Sequence, residues 1–484
     1  MSLLLLHSFI LVLLVGLFFF LLFFASFQYI YGHNKNSKLP PGSFAGWPLI
    51  GDTLSFISPH ISSSKGRFLD INIKRYGKIF RAHLFGYPTV VSCDAEFNSF
   101  VLQNEDRLFV AGYPKNIPGV LGDLTLLVVT GDTHKHIRGV ALNLFAAMRT
   151  RSSSFISDIE CNALRVMDSW KNQEKLVFCA EIRKFTFSVI VKQILSLMPE
   201  DSESTQILQN FNTFMRGLVS VPINLPGTPY AKAIQANYRI KETVRKIIRR
   251  REKEDGKAEE RMDFLAILLH QNELSEEEIL SLVLDLLLGG YETTAMLIAI
   301  IVKFLGSDHK MLAELREEHL SVKQNKVGKE SLSLEDYKKM EFTQCLINEA
   351  LRLGNVVKFV HRKTIKPIQY KGYEIPVGWK VLPVFSGVHL DPSLHPDPFH
   401  FNPWRWEKYD ISGNMRGFMP FGGGKRMCPG SELARLETSL FLHHLVLKFS
   451  WTPLMDEDLP MSFPYLDFKN GLQIAIQPLL QLRP

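Results

Sequence analysis

A glycine-rich segment near the end of the sequence presents a single cysteine just ahead of a predicted helix. Residues 421–430 read FGGGKRMCPG, and the final predicted helix runs from about 431 to 447. Glycine turns let backbone N–H groups approach the sulfur of Cys428 closely. These groups, the positive end of the helix and Arg426 are expected to stabilise a thiolate. A thiolate presented in this way suits an iron ligand.

Other glycine-rich motifs do not fit this segment. A Walker-type phosphate loop needs Ser or Thr after Gly-Lys, but Arg426 follows Lys425. Met427 stands where a dinucleotide-binding motif has its third glycine. The chain has five cysteines and no Cys-x-x-Cys, so neither a disulfide framework nor a structural zinc site is indicated.

The segment resembles the haem-binding signature Phe-x-x-Gly-x-Arg-x-Cys-x-Gly of the cytochrome P-450 (haem-thiolate monooxygenase) superfamily, and every fixed position matches. The resemblance covers essentially the whole chain and implies the cytochrome P-450 fold, mainly α with small β-sheets (α+β). It implies haem b with Cys428 as the axial thiolate ligand. It also implies that Phe421, Arg426 and Gly430 lie against the haem, and that NADPH-cytochrome reductase, a flavoprotein, supplies electrons from NADPH.

Two arginines and a glutamate form the next part of the resemblance. Glu349 and Arg352 are three residues apart and therefore share a helix face, where they can pair. By itself this is a weak pattern, and a surface ion pair is the alternative. By resemblance, Arg405 in the segment FNPWRW completes a buried Glu–Arg–Arg network that supports the haem side of the core.

A long apolar helix predicted over 276–304 carries the sequence GGYETT at 289–294. Each glycine costs about 1 kcal/mol relative to alanine in a helix, so both need a reason. Helix–helix packing is one reason. Beside a haem, the glycines instead leave room for dioxygen, and Glu292 and Thr293 form an acid–alcohol pair that relays the two protons needed for O–O scission.

Haem carboxylates need cationic partners, and arginine is the usual bidentate choice. Arg426 qualifies by the motif, and Arg138 and Arg362 qualify by resemblance. The family commonly has Trp-x-x-x-Arg on the helix that carries Arg138, whereas this chain has His134 in the tryptophan position.

The stretches 351–363, 378–384 and 225–230 are similar to the plant sterol-oxidising branch, most of all to brassinosteroid-pathway steroid 22-alpha-hydroxylases. This resemblance implies hydroxylation of a sterol side chain at carbon 22, with O2 as co-substrate. Leu121, Leu286 and residues 214–223 and 356–359 are expected to line an apolar pocket. A triterpenoid or diterpenoid monooxygenase is the alternative. A peroxide-rearranging haem-thiolate enzyme would not need the acid–alcohol pair, and a non-enzymatic haem or lipid carrier would leave it unexplained.

The first thirty residues contain an uncharged apolar run of 23 residues, 8–30, long enough to span a bilayer core of about 30 Å as a helix. No basic residue precedes the run and it is too long for a cleaved signal peptide. Lys35 and Lys38 follow it and place the remainder in the cytosol. We predict a membrane anchor over 1–34, a proline-rich linker over 35–52 and a haem domain over 53–484, in a single-pass protein of the endoplasmic reticulum membrane.

The elements that position these residues are mostly helical. Strand patterns at 78–85 and 87–92 predict a hairpin, helical periodicity dominates from about residue 94, and a second strand-rich region spans 365–384. Acidic residues at 285 and 292 argue that 276–304 is a buried core helix and not a second span. The chain is 46% hydrophobic, which excludes a disordered protein, and its net charge of +7 is too diffuse to require nucleic acid.

Overall fold

Helices form most of this chain in the computed structural model, which describes residues 11, 13–20, 22, 38–42, 51–150, 152–253, 263–324, 331–407, 417–462 and 465–479. The helices are α1 Thr53–Phe56, α2 Arg67–Tyr76, α3 Ala95–Gln103, α4 Asn116–Leu121, α5 Gly131–Thr150, α6 Ser152–Asp168, α7 Phe178–Leu195, α8 Ser202–Leu218, α9 Pro229–Lys253, α10 Phe264–Gln271, α11 Glu276–Ser307, α12 His309–Gln324, α13 Leu334–Lys338, α14 Glu341–Gly354, α15 Phe385–His389 and α16 Ser431–Lys448.

Short strands form four small sheets. The strands are β1 His60–Ile61, β2 Ile79–Leu84, β3 Tyr87–Ser92, β4 Phe109–Ala111, β5 Lys175–Val177, β6 Arg362–Thr364, β7 Ile368–Tyr370, β8 Tyr373–Ile375, β9 Lys380–Pro383, β10 Phe449–Pro453, β11 Pro460–Ser462, β12 Asp467–Phe468 and β13 Gln473–Pro478. Their orders are β2-β3-β9-β6-β4, β10-β13-β5, β1-β11-β12 and β7-β8. The predicted mainly helical fold with small sheets, including the hairpin at β2 and β3, is confirmed.

Helix α11 is the central element of the helical core. A capping box starts it, in which the Ser275 side chain accepts from the Glu278 N–H and the Glu278 side chain accepts from the Ser275 N–H. It packs against α7, α14 and α16. Among the described residues it is the one helix long and apolar enough to cross a membrane, and 67% of its most apolar window is buried in the domain. The prediction of a buried core helix is confirmed.

The segment predicted as a proline-rich linker contacts the body of the chain where the structure describes it. The Arg81 N–H donates to the Pro41 carbonyl at 2.8 Å, and the Glu374 N–H donates to the Lys38 carbonyl at 2.7 Å. Of the predicted anchor, residues 11, 13–20 and 22 are helical and exposed. The rest of the predicted span lies outside the described residues.

Candidate haem site

The cysteine segment is a tight turn whose backbone is fixed by its own hydrogen bonds. The Cys428 N–H donates to the Phe421 carbonyl at 2.9 Å, and α16 follows from Ser431. Gly424 has φ +63°, and a Cβ there would lie 2.1 Å from the carbonyl oxygen of Leu102. Only glycine satisfies both conditions, so this fixed position of the motif has a steric cause.

The electrostatics of Cys428 differ from the sequence expectation. Burial raises the pKa of the Cys428 thiol, and the Gly430 N–H and the positive charge of Arg138 offset only part of that rise. The guanidinium of Arg426, which was expected to help stabilise a thiolate, instead contacts Glu105 and the carbonyls of Leu126 and Val129. The protein groups alone therefore favour a thiol, whereas coordination to a metal ion deprotonates a thiol outright.

Arg362 and Arg426 meet at a buried carboxylate that the sequence analysis did not identify. The Arg362 Nε lies 2.8 Å from one oxygen of Glu105, and the Arg426 Nε donates to the other at 2.5 Å. All three side chains are less than 10% exposed. Arg426 also donates to the carbonyls of Leu126 and Val129, across the loop that precedes α5.

Arg138 completes a group of three arginines around His134. It donates to the Met427 carbonyl, next to Cys428. Burial and the charges of Arg426, Arg138 and Arg362 lower the pKa of His134 to about 4, so the imidazole is neutral at neutral pH. Three guanidinium groups with the carboxylate of Glu105 between two of them leave two positive charges, which fits the two carboxylates of haem b. The thiol and the arginines thus form a donor set that suits this group.

The predicted Glu–Arg–Arg network is present, with Glu349 and Arg352 fully buried and Arg405 at the edge of the buried region. Arg352 makes a bidentate pair with Glu349 at 2.7 and 2.9 Å, and the Arg405 Nε donates to the same carboxylate at 3.1 Å. Burial favours the neutral form of Glu349, but the hydrogen bonds and charges of the two arginines lower its pKa overall. The indole N–H of Trp406 also donates to Glu349, at 2.9 Å.

The two glycines of α11 have different surroundings. A Cβ at Gly290 would lie 2.7 Å from Cδ1 of Ile190 on α7, so this glycine allows close helix packing. A Cβ at Gly289 would meet nothing within 4 Å. Of the two explanations for the glycine pair, packing therefore applies to Gly290, and open space applies to Gly289. The hydroxyl of Thr293 donates to the Gly289 carbonyl at 2.6 Å.

Glu292 is held by an arginine that the sequence analysis missed. The Arg183 Nε lies 3.0 and 3.1 Å from the two carboxylate oxygens of Glu292, and Arg183 Nη2 lies 3.0 Å from Asp467. Burial raises the pKa of Glu292, and Arg183 offsets part of this rise. A carboxyl whose proton affinity is raised is better suited to carrying a proton than a carboxyl in water.

A second, partly buried acid connects α11 to the cysteine segment. Asp285 accepts from the Thr125 hydroxyl at 2.5 Å and from the Leu126 N–H at 2.7 Å. The Leu126 carbonyl in turn accepts from Arg426 at 2.9 Å. Burial raises the pKa of Asp285 to about 7. In the sequence, Asp285 served only as an argument that 276–304 does not span a membrane. Its contacts with Thr125 and Leu126 could not be predicted, because these residues are distant in the chain.

An open cavity of about 780 Å³ lies between the N-terminal elements and the helical core. Its lining includes Leu218–Pro222 together with Val356, Lys358 and Phe359, which agrees with two of the predicted pocket segments. Leu121 and Leu286 are buried but are not part of this lining.

Comparison with known proteins places these features in a family. The cytochrome P450 family profile matches residues 40–474. The chain is 52% identical to cytochrome P450 724B1 of Oryza sativa subsp. japonica, over 92% of this chain and 93% of that protein. It is 47% identical to cholesterol 22-monohydroxylase CYP90B52 of Paris polyphylla, over 92% and 94% of the two chains.

Two further comparisons agree with these. A steroid (22S)-hydroxylase of Oryza sativa subsp. japonica is 46% identical over 93% of this chain and 90% of its own. The structure of cyanobacterial CYP120A1 with bound retinoic acid superposes with a TM-score of 0.81 at 29% identity, covering 91% of this chain and 99% of that one. The resemblance to plant steroid 22-hydroxylases is thereby confirmed, and the chain belongs to the cytochrome P450 family.

Proposed function

We propose that this protein is a haem-dependent monooxygenase that hydroxylates a sterol side chain at carbon 22, in plant brassinosteroid or related steroid biosynthesis. The observation that carries the proposal is the similarity to proteins named as cholesterol and steroid 22-hydroxylases, which extends over more than nine-tenths of the chain. The intact cysteine segment and the Glu292–Thr293 pair supply the residues that this chemistry requires.

The haem would be held by Cys428 on one side and by the arginines at its edge. Arg138, Arg362 and Arg426 would bind its two carboxylates, and Phe421 and Gly430 would flank it at the cysteine turn. When bound, a haem with a thiolate ligand supplies the activation of dioxygen that allows one oxygen atom to enter an unactivated C–H bond. The Glu349–Arg352–Arg405 network would stabilise the core behind it.

The chain's own contribution to proton delivery lies on α11. The Thr293 hydroxyl, now hydrogen-bonded to the Gly289 carbonyl, would turn toward the space beside Gly289 and donate its proton there. Glu292 would return a proton to Thr293 from the Arg183 side, because burial raises its pKa and so increases its affinity for a proton. Together these groups would supply the two protons that the activation of dioxygen requires.

The remaining parts of the proposal concern partners and location. Electrons from NADPH would arrive through NADPH-cytochrome reductase, and the uncharged run at 8–30 would anchor the protein in the endoplasmic reticulum membrane with the haem domain in the cytosol.

The test is an activity assay in microsomes that contain the protein, the reductase and NADPH. We expect products hydroxylated at carbon 22 from a panel of C27–C29 sterols and none from a Cys428→Ala variant. Products from triterpenoids or diterpenoids alone would favour the alternative substrate class. A reduced, carbon monoxide-treated sample of folded protein without the thiolate-shifted Soret band would exclude a haem-thiolate enzyme.

A further inference from the structure

The cavity of about 780 Å³ has the size of a small-molecule site and mostly apolar walls. Ligand cavities in proteins commonly measure about 300–1,000 Å³. Its aromatic wall centres on Phe56, whose ring centroid lies 5.6, 6.0 and 5.1 Å from those of Phe68, Phe85 and Phe359. A rigid hydrocarbon ring system would bury its surface against such a wall.

The cavity adjoins the candidate haem site without containing it. His361 lines the cavity and directly precedes Arg362, one of the haem-carboxylate arginines. Tyr465 also lines it, and the charge of Glu292 contributes to raising the pKa of this phenol, after burial. Neither Cys428 nor Thr293 is among the described lining residues. Because the cavity borders the candidate haem site at His361 and Tyr465, a long substrate that reacts beside Cys428 would extend its other end into this cavity.

One lysine and one histidine form a polar pair in the apolar wall. The Lys358 ammonium contacts Nε2 of His60, and both residues line the cavity. Nδ1 of His60 lies 2.9 Å from the Ser58 carbonyl, so Nδ1 carries the ring proton and Nε2 accepts from Lys358. The backbone of Gly66 lies close against this ring, since a Cβ at Gly66 would lie within 3.0 Å of three of its atoms.

The Lys358 ammonium has N–H donors in this position that His60 does not use. An ammonium group has three N–H donors, and His60 accepts from one of them. Among the described residues no carboxylate lies within ion-pair distance of Lys358. Burial lowers its pKa to about 7. A buried amine without a counter-charge gains from a hydroxyl partner whether it is protonated or neutral, since a hydroxyl both accepts and donates.

Two unpartnered hydroxyls lie in the same wall. Ser462 faces His60 across the β1–β11 ladder, and Ser386 follows Phe385, whose N–H donates to the Lys358 carbonyl at 2.7 Å. Both serines line the cavity, and the hydroxyl oxygen of each is buried without a hydrogen-bond partner among the described residues. Buried polar groups in proteins normally have partners, so these hydroxyls indicate a polar ligand group at this wall.

We propose that Lys358, positioned by His60, binds the ring hydroxyl of the sterol at the end opposite the reacting side chain. This inference rests on the proposed sterol function and adds the residue that orients the substrate. The apolar rings would pack against the Phe56 wall, and the hydroxyl would fix how far the side chain reaches toward Cys428.

The test compares cholesterol with 5-cholestene, which lacks the ring hydroxyl, by the spin-state change of the haem protein on binding. We expect wild type to bind cholesterol about tenfold more tightly than 5-cholestene, as one hydrogen bond to a charged group allows. Lys358→Met should weaken cholesterol binding about tenfold and leave 5-cholestene binding unchanged. Lys366→Met, which removes an exposed lysine outside the cavity, should match wild type.

Several outcomes would overturn the inference. One is equal binding of both ligands by wild type, and another is a Lys358→Met variant that weakens both ligands by the same factor. If Lys358→Met does not fold and so gives no haem-thiolate spectrum, two other measurements test the inference. These are the ratio of the cholesterol and 5-cholestene affinities of wild type and the same ratio for Lys358→Gln. If wild type binds neither compound, the proposed sterol function itself fails, whereas binding of both without discrimination contradicts only the role of Lys358.

Discussion

Glu105 is the residue that most changes the view of this site. It is fully buried and bridges Arg362 and Arg426, two residues that the sequence analysis assigned to the haem carboxylates, with Arg426 also expected to stabilise the thiolate of Cys428. A carboxylate between two arginines fixes the spacing of their guanidinium groups before any ligand binds. In the proposed haem site the arginines would serve two partners, and Glu105 would act on the haem through them as a positioning residue.

Removing this charge should destabilise the domain. In Glu105→Gln, Arg362 and Arg426 lose their buried carboxylate. Removing one partner of a buried ion pair lowers the free energy of unfolding by about 3–5 kcal/mol. We expect a lower melting temperature, measured by circular dichroism, and faster loss of the Soret band on heating. Glu96→Gln is the matched control, because the Glu96–Lys371 pair is more than half exposed and such pairs contribute less than about 1 kcal/mol. Equal melting temperatures of the two variants would contradict this role.

Thr293 is the residue at which proton delivery is tested. In Thr293→Ala the hydroxyl that donates to the Gly289 carbonyl is lost, so protons should reach dioxygen less selectively. We expect NADPH consumption to continue while the fraction that yields hydroxylated sterol falls several-fold, with the difference appearing as peroxide. Thr293→Ser keeps the hydroxyl and should keep most of the coupling. Unchanged coupling in the alanine variant would remove Thr293 from the relay.

At the scale of elements, the glycine pair of α11 divides into two roles. Gly290→Ala places a methyl group 2.7 Å from Cδ1 of Ile190 and should lower the melting temperature, since the Ile190 side chain or the two helices must then shift. Gly289→Ala meets no neighbour within 4 Å and gains about 1 kcal/mol of helix propensity. We expect the Gly289 variant to be at least as stable as wild type but to bind carbon monoxide more weakly. Loss of stability in Gly289→Ala would show that this position also serves packing.

The Asp285 link between α11 and the loop before α5 should make stability depend on pH. The pKa of Asp285 is raised to about 7, whereas an unfolded aspartate has a pKa near about 3.9. The folded state therefore binds the proton more tightly, and its stabilising effect is lost as pH rises toward 7. Asp285→Asn keeps both hydrogen-bonding partners within reach and removes the charge.

We expect the melting temperature of Asp285→Asn relative to wild type to be higher at pH 8 than at pH 5. Glu277→Gln removes an acid from an exposed position on the same helix and should show no such trend. A constant difference between Asp285→Asn and wild type across this range would mean that Asp285 stays ionised in the folded protein.

For the whole molecule, local motifs were predictable and distant partners were not. The Cys428 turn and the Glu349–Arg352 pair lie within short stretches, so a resemblance finds them directly. Arg426 and Glu105 are 321 residues apart, and no local pattern indicates their contact. Helix α7 is buried on most sides and therefore lacks the apolar–polar period that reveals a surface helix, so its bounds could not be read from the sequence.

The division into anchor and haem domain can be tested by deletion. Removing residues 1–34 takes away the apolar run at 8–30 and leaves the linker contacts of Lys38 and Pro41 with Glu374 and Arg81. The truncated protein should keep the thiolate-shifted carbon monoxide spectrum and the wild-type melting temperature. Alkaline carbonate extracts proteins bound to the membrane surface but not those held by a spanning helix. The truncated protein should therefore move from the carbonate-resistant pellet to the supernatant.

A longer deletion supplies the control. Removing residues 1–42 also removes the Lys38 and Pro41 carbonyls that accept from Glu374 and Arg81, so we expect a lower melting temperature than in the shorter truncation. Carbonate resistance of the shorter truncation would mean that the haem domain itself inserts into the bilayer. Equal stability of the two truncations would mean that the linker only connects the anchor to the domain and does not brace it.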